Sequence, residues 1–245
     1  MQSLLTLASA VSLTMATATG HAPHWGYEGE EGPDHWGALA PDYATCAAGK
    51  AQSPVDHAAF NPAQAVSVHA DYHAGLVSVL HNGHTVQANF APGSSLISGG
   101  HVYALVQVHF HTPSEEAFNG KRYPMVAHFV HKDTAGKLAV LGVMFDKGGP
   151  HDELAKLIAV APRAPGSEGK LSVTRINPAA LLPHDLRVYR YTGSLTTPPC
   201  TEGVSWHVAV KPVHASKEQI GDLHAMIGNN ARPVQPLNGR QIIGE

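Results

Sequence analysis

The sequence predicts a mixed, mainly β domain. Three observations carry that expectation. The chain has 245 residues, enough to bury a full core as one domain. Its 24 glycines and 18 prolines punctuate it into many turns and short strands rather than long helices. Polar and apolar residues alternate in several runs, the period of strands with one buried face. No internal repeat or low-complexity linker divides the chain.

The first segment stands apart. Leu4-Leu5-Thr6-Leu7-Ala8-Ser9-Ala10-Val11-Ser12-Leu13 is uncharged and mostly apolar, and Ala16-Thr17-Ala18 follows with the small-x-small pattern of a cleavage site. This reads as a secretory signal over residues 1–20, leaving a domain over 21–245. The run is too short to span a bilayer. No Lys or Arg precedes Lys50, so the usual positive n-region is missing. An exported chain is expected in the periplasm or outside the cell. Its two cysteines, Cys46 and Cys200, are then expected to pair.

The mature chain opens with an aromatic, irregular stretch, His24-Trp25-Gly26-Tyr27 and Asp34-His35-Trp36-Gly37, which reads as a lid packed on a core. Gln52-Ser53-Pro54-Val55-Asp56 reads as a turn. Residues 66–90 alternate as short strands, broken at His81-Asn82-Gly83-His84. Two further strands follow, linked through Asn119-Gly120-Lys121. Residues 138–145 are continuously apolar, as in a strand buried on both faces. Residues 152–160 make the clearest helix, with Leu154, Leu157 and Ile158 on one face. Residues 216–226 make a weaker one with Ser216 as cap. Residues 187–191 and 204–210 read as strands, and Arg232-Pro233-Val234-Gln235-Pro236-Leu237-Asn238 as an extended polar tail.

The chemistry lies in the two linked strands. In Leu105-Val106-Gln107-Val108-His109-Phe110-His111 successive side chains point to opposite faces, so Gln107, His109 and His111 share one face and Val106, Val108 and Phe110 the other. Val126-Ala127-His128-Phe129-Val130-His131 can bring His128 beside the first pair, while His131 faces away. Three neutral imidazoles with an open fourth position suit a catalytic zinc ion. With 18 histidines in the chain, the spacing alone does not make the case. Charged residues are only 14% and the net charge is −3. That gives no reason to expect nucleic acid or an anionic membrane as partner.

An ordered series of motifs over most of the mature chain resembles the α-class carbonic anhydrases. It comprises His24-Trp25-Gly26-Tyr27, Gln52-Ser53-Pro54-Val55-Asp56, Asn82-Gly83-His84, the histidine strand, Pro113-Ser114-Glu115 and Ala127-His128-Phe129-Val130-His131. It continues through Leu138-Ala139-Val140-Leu141-Gly142, Tyr191-Thr192-Gly193-Ser194-Leu195-Thr196-Thr197-Pro198-Pro199-Cys200, Ser205-Trp206 and Asn230-Ala231-Arg232-Pro233-Val234-Gln235-Pro236-Leu237. The resemblance implies a single domain with a large, twisted, mostly antiparallel central sheet, short peripheral helices and a cleft reaching down to zinc. It implies reversible hydration of CO2 to bicarbonate and a proton through a zinc-bound hydroxide.

The matching positions imply the roles. His109, His111 and His128 would hold zinc. Thr196 would orient the nucleophile, passing its own proton to Glu115. Thr197 would help place bicarbonate. Val130, Val140, Leu195 and Trp206 would form the apolar wall for CO2. His84 would carry the proton out, because histidine titrates near neutrality; His81, His101 and His151 compete as surface histidines. Tyr27, Asn82 and Gln87 would order the connecting waters. The chain is expected to be a monomer or a homodimer.

The resemblance breaks at one place. Relatives carry a glutamate two residues before the third ligand, where it can accept a hydrogen bond from that histidine; here the residue is Val126. Glu116 is the carboxylate expected to replace it from across the sheet. Two other readings follow from the same residues: a non-catalytic binding domain of the same fold, and an esterase using the same hydroxide.

Overall fold

The computed structural model describes residues 24–61 and 67–244. The expected signal segment and Val66 lie outside the described residues. Two short helices, α1 (Trp36–Leu39) and α2 (Thr45–Ala48), lead into fourteen strands. These are β1 (Val68–Asp71), β2 (Gly75–His81), β3 (Val86–Phe90), β4 (Ser95–Ser98), β5 (His101–His111), β6 (Ala117–Phe118), β7 (Lys121–Arg122), β8 (Met125–Lys132) and β9 (Leu138–Lys147). Helix α3 (Asp152–Val160) follows, then β10 (Ser167–Ile176), β11 (Val188–Ser194), β12 (Glu202–Ala209), β13 (Val213–Ala215), α4 (Lys217–Ile227) and β14 (Ile243–Gly244).

Twelve strands form one sheet with the main order β10-β2-β3-β5-β8-β9-β12-β11-β14. Pairing is antiparallel except where β9 runs parallel to β12 and β13. The mainly β, mostly antiparallel expectation is met.

The sheet separates two apolar layers, and β9 shows why it must be apolar throughout. Ala139, Leu141, Val143 and Phe145 enter one cluster, under α3 and α4, with Phe110, Phe129, Leu154, Leu157, Ile220 and Leu223. Val140 and Met144 enter the other, with Val126, Tyr191 and Trp206. A strand covered on both faces has no polar side to present. Both helices start where expected. The His151 imidazole accepts from the Leu154 amide, and Ser216 and Gln219 close a reciprocal capping box, which satisfies amides a helix start leaves open.

The structure corrects four expectations. Val106 does not share a face with Val108 and Phe110: a bulge between Leu105 and Gln107 sends it outward, 40% exposed, while Leu105 joins the core. An extra residue in one strand resets the alternation on either side. The aromatic lid contains short helical turns, with Trp36 fully buried against Tyr43 and the Cys46–Cys200 bridge. His81 is buried, with its ring on the Met226 carbonyl, and is no surface residue. The tail is polar but its key residue is internal: Arg232 is 1% exposed and binds the backbone oxygens of Cys46 and Ser53 and the Gln52 side chain.

Candidate metal centre

Strands β5 and β8 are antiparallel neighbours whose register sets His109 opposite His128 and His111 opposite Val126. Same-face alternation then gathers three imidazoles. Their ring centroids lie 5.0 Å (His109–His111), 5.3 Å (His109–His128) and 4.7 Å (His111–His128) apart. One nitrogen from each lies within 4.8 Å of the others. His131 projects to the opposite face, where its ring meets Tyr72 in the main core.

The remaining ring nitrogens fix which atoms converge. His109 Nδ1 is 2.9 Å from Gln107 Oε1, and His111 Nδ1 is 2.7 Å from the Asn230 carbonyl. His128 Nε2 is 2.9 Å from Glu116 Oε1. Each partner only accepts, so each of these nitrogens carries the proton. The lone pairs left over are His109 Nε2, His111 Nε2 and His128 Nδ1. His111 Nε2 has no hydrogen-bond partner among the described residues. Glu115 Oε2 faces it at 3.5 Å and His128 Nδ1 at 3.8 Å, also without a partner among the described residues. Buried lone pairs converging without a donor suit a cation, and a three-nitrogen set with a nearby carboxylate suits zinc with one open position.

Burial holds His109 well below the usual histidine range, reinforced by His111 and His128. Burial also lowers His111, against the pull of Glu115. For His128 burial acts downward too, but the Glu116 carboxylate overrides it and the net direction is upward.

The family model described as eukaryotic-type carbonic anhydrase matches residues 31–245. The chain belongs to that family. It is 40% identical over 245 residues to a carbonic anhydrase of Pectobacterium carotovorum, covering 99% of this chain and 100% of the relative. It is 42% identical over 246 residues to a carbonic anhydrase of Klebsiella pneumoniae, with the same coverage. The solved α-carbonic anhydrase of Photobacterium profundum superposes with a TM-score of 0.85 at 47% identity, over 90% of this chain and 100% of that one.

A pocket of about 120 Å³ opens on the cluster, lined in part by His109, His111, Tyr27, Asn82, His84, Gln87 and Thr197. His84 is half-buried, and its pKa lies below the ordinary value of 6.5 through burial and then through His24 and His81. Burial, and then Glu115, keep the Tyr27 hydroxyl protonated far above neutrality. Asn82 Oδ1 is committed to the His84 and Thr85 amides, so its acceptor builds the turn. Gln87 donates to Asn89. Val140 and Trp206 are buried in one apolar cluster, with Val130 and Leu195 packed against that cluster. The Trp206 ring stands edge-on to His128, centroids 5.0 Å apart.

Thr196 and Glu115 are both buried, at 6% and 0% exposure. The hydrogen bond expected between them is not made. Glu115 Oε1 accepts from the Arg232 amide at 2.9 Å, and Oε2 turns to the imidazole edges. The Cys46–Cys200 disulfide is formed.

Four residues at the site carry no role that the sequence predicts. Gln107 was placed on the histidine face but given no role; its position two before His109 on one strand was the available signal. Asn230 and Arg232 belong to a motif of the resemblance, but they lie more than a hundred positions from the groups they hold, and the motif does not say what they hold. Trp25 stacks on His84, and only its place in the aromatic lid hinted at it.

Proposed function

We propose that this chain is an exported zinc enzyme that interconverts CO2 and water with bicarbonate and a proton. The observation that carries the reading is the convergence of His109 Nε2, His111 Nε2 and His128 Nδ1, each freed by a second hydrogen bond that fixes its ring. Those three atoms would hold the metal. Zinc, when bound, supplies Lewis acidity that brings a coordinated water near its neutral-pH ionisation, an effect for which carbonic anhydrases are themselves the type case.

The chain's own residues supply orientation, substrate binding and proton export. Val130, Val140, Leu195 and Trp206 give an apolar wall beside His128 that suits an uncharged substrate. Thr197 lines the polar side, where bicarbonate would form. Thr196 would orient the attacking oxygen. It can accept a hydrogen bond in a fixed direction only by donating its own proton elsewhere, and Glu115 Oε2 is a buried acceptor without a donor among the described residues. The proton would leave through the cleft lined by Tyr27 and Gln87 to His84, with Asn82 shaping the turn. A histidine that is neutral at pH 7 is ready to accept it. Cleavage after the signal at residues 1–20 would release the domain to the periplasm or the exterior. Among the described residues no helix is long and apolar enough to cross a membrane.

The test is zinc content together with stopped-flow CO2 hydration of the mature protein. One zinc per chain with rapid hydration is expected, and loss of both in His109→Ala, His111→Ala and His128→Ala. Zinc retained in all three would remove the site.

A further inference from the structure

Glu116 holds the His128 ring, and what supports Glu116 in turn has no part in the steps above; a second buried polar residue, His57, interacts with it. Glu116 is fully buried; its Oε1 lies 2.9 Å from His128 Nε2, and its Oε2 has no hydrogen-bond partner among the described residues. His57 is 5% exposed, and neither ring nitrogen has a partner among the described residues. Its imidazole stacks on Phe118 at 5.1 Å and stands against Tyr189 and Tyr191. The His57 amide donates to the Ala117 carbonyl at 2.8 Å, and Asp56 pairs with Ala117 as a bridge. The backbone therefore ties His57 to the residue after Glu116. The two side chains interact electrostatically, each favouring the charged form of the other.

The surroundings show how the Glu116 carboxylate fits. Val126 precedes His128 by two on β8 and shares its face. It is fully buried among Val55, Val140 and Met144, so the strand position closest to His128 offers no acceptor. Gly142 stands directly opposite His128 on β9. A Cβ there would come within 3.2 Å of Glu116 Oε1. Bare backbone at that point leaves room for a carboxylate reaching in from the turn after β5. A neutral imidazole has one donor and one acceptor nitrogen. Buried polar atoms in folded proteins find partners, with internal water where no protein group reaches. Glu116 Oε2 lacks a donor, and His57 has one to give.

We propose that Glu116 is the positioning residue for the metal ligand His128, in the place a carboxylate at position 126 would take, and that His57 supplies the donor for its second oxygen, directly or through one buried water. The line His57–Glu116–His128 fixes the His128 ring with its Nδ1 lone pair toward the metal. Val126 is then not a loss from the site but the apolar half of an exchange. The carboxylate has moved from the strand to the turn, and a histidine backs it there. This inference rests on the reading that the three histidines hold zinc.

The experiment measures zinc affinity by competition with a chelator, with circular dichroism to confirm folding. If the parent binds no zinc, the functional reading and this inference fall together. If the parent binds one zinc, Glu116→Ala should weaken it about 10–100-fold. Glu116→Gln, which keeps the shape and one acceptor oxygen, should weaken it less. Val126→Glu in the Glu116→Ala background should restore most of the affinity, which a merely structural role for Glu116 would not allow. His57→Leu should weaken zinc by at least about twofold in the parent and leave it nearly unchanged in the Glu116→Ala background, because the two act as one unit. Zinc bound by folded Glu116→Ala as tightly as by the parent would overturn the role of Glu116 and leave the enzyme reading intact. So would a folded double variant in which Val126→Glu restores nothing. Equal effects of His57→Leu with and without Glu116 would overturn the His57 link.

Discussion

Trp25 lies flat on His84, with ring centroids 3.7 Å apart and planes 7° from parallel. The stack holds the imidazole at the mouth of the cleft that His109 and His111 floor. It also buries one face of the ring, which helps keep His84 below its ordinary pKa. A proton acceptor needs a defined approach to the inner waters and an edge open to bulk solvent, and a half-buried stacked ring has both.

Proton export and CO2 conversion should separate at this residue. His84→Ala should slow maximal turnover in dilute buffer and leave kcat/KM for CO2 nearly unchanged. Added imidazole should restore the lost rate by carrying the proton itself. A fall in kcat/KM, or no rescue by imidazole, would make His84 structural.

Thr196→Ala should keep zinc and lose hydration rate by about 100-fold, the order of cost for a misdirected reacting group. Metal analysis and stopped-flow hydration on one preparation give both readings. An undiminished rate would take Thr196 and Glu115 out of the mechanism. Glu115 is fixed from behind by the Arg232 amide, so Glu115→Gln should keep the fold while it disturbs the same step.

The disulfide closes 154 residues between Cys46 and Cys200. A loop of that length can stabilise by about 5 kcal/mol at most in the chain-entropy account. It also holds the segment whose Cys46 carbonyl accepts from Arg232, the residue whose amide binds Glu115. Replacing both cysteines by serine should lower Tm and reduce hydration together. Peptide mapping by mass spectrometry of exported protein should find the two linked; free thiols there would reject the pairing.

Buried neutral histidines set an acid limit. Burial lowers His131 to about 3 and His207 to about 4, against an ordinary 6.5. Both are held neutral in the fold, His131 between the Tyr72 hydroxyl and the Ala139 carbonyl. Below pH 6.5 the unfolded chain binds protons that the folded chain refuses, so stability falls as pH falls toward the folded values. Tm measured against pH should be flat above about 6.5 and decline progressively below it. His131→Gln should lower Tm at neutral pH and flatten the decline; an unchanged slope would show that His131 does not contribute.

Local periodicity was enough for much of this molecule. The alternation in residues 107–111, the unbroken apolar run of β9 and the cap at Ser216 each depend on neighbours a few positions away, and each was legible in the chain. The shared face of His109 and His111 was legible too, and the family motif added His128; the pairing of β5 with β8 brings the three together. The bulge at Val106 was not legible, because an inserted residue is defined only against the partner strand. Nor was the burial of His81 or Arg232, whose partners Met226 and Cys46 lie 145 and 186 positions away. The hydrogen bonds that decide which nitrogen of each imidazole is free come from Gln107, Asn230 and Glu116, at separations of 2, 119 and 12. Sequence determined which residue types could bind a metal and that they share one face. Tertiary structure decided which atoms converge, because a lone pair is set by the group that holds the opposite side of the ring, and folding brings that group from anywhere along the chain.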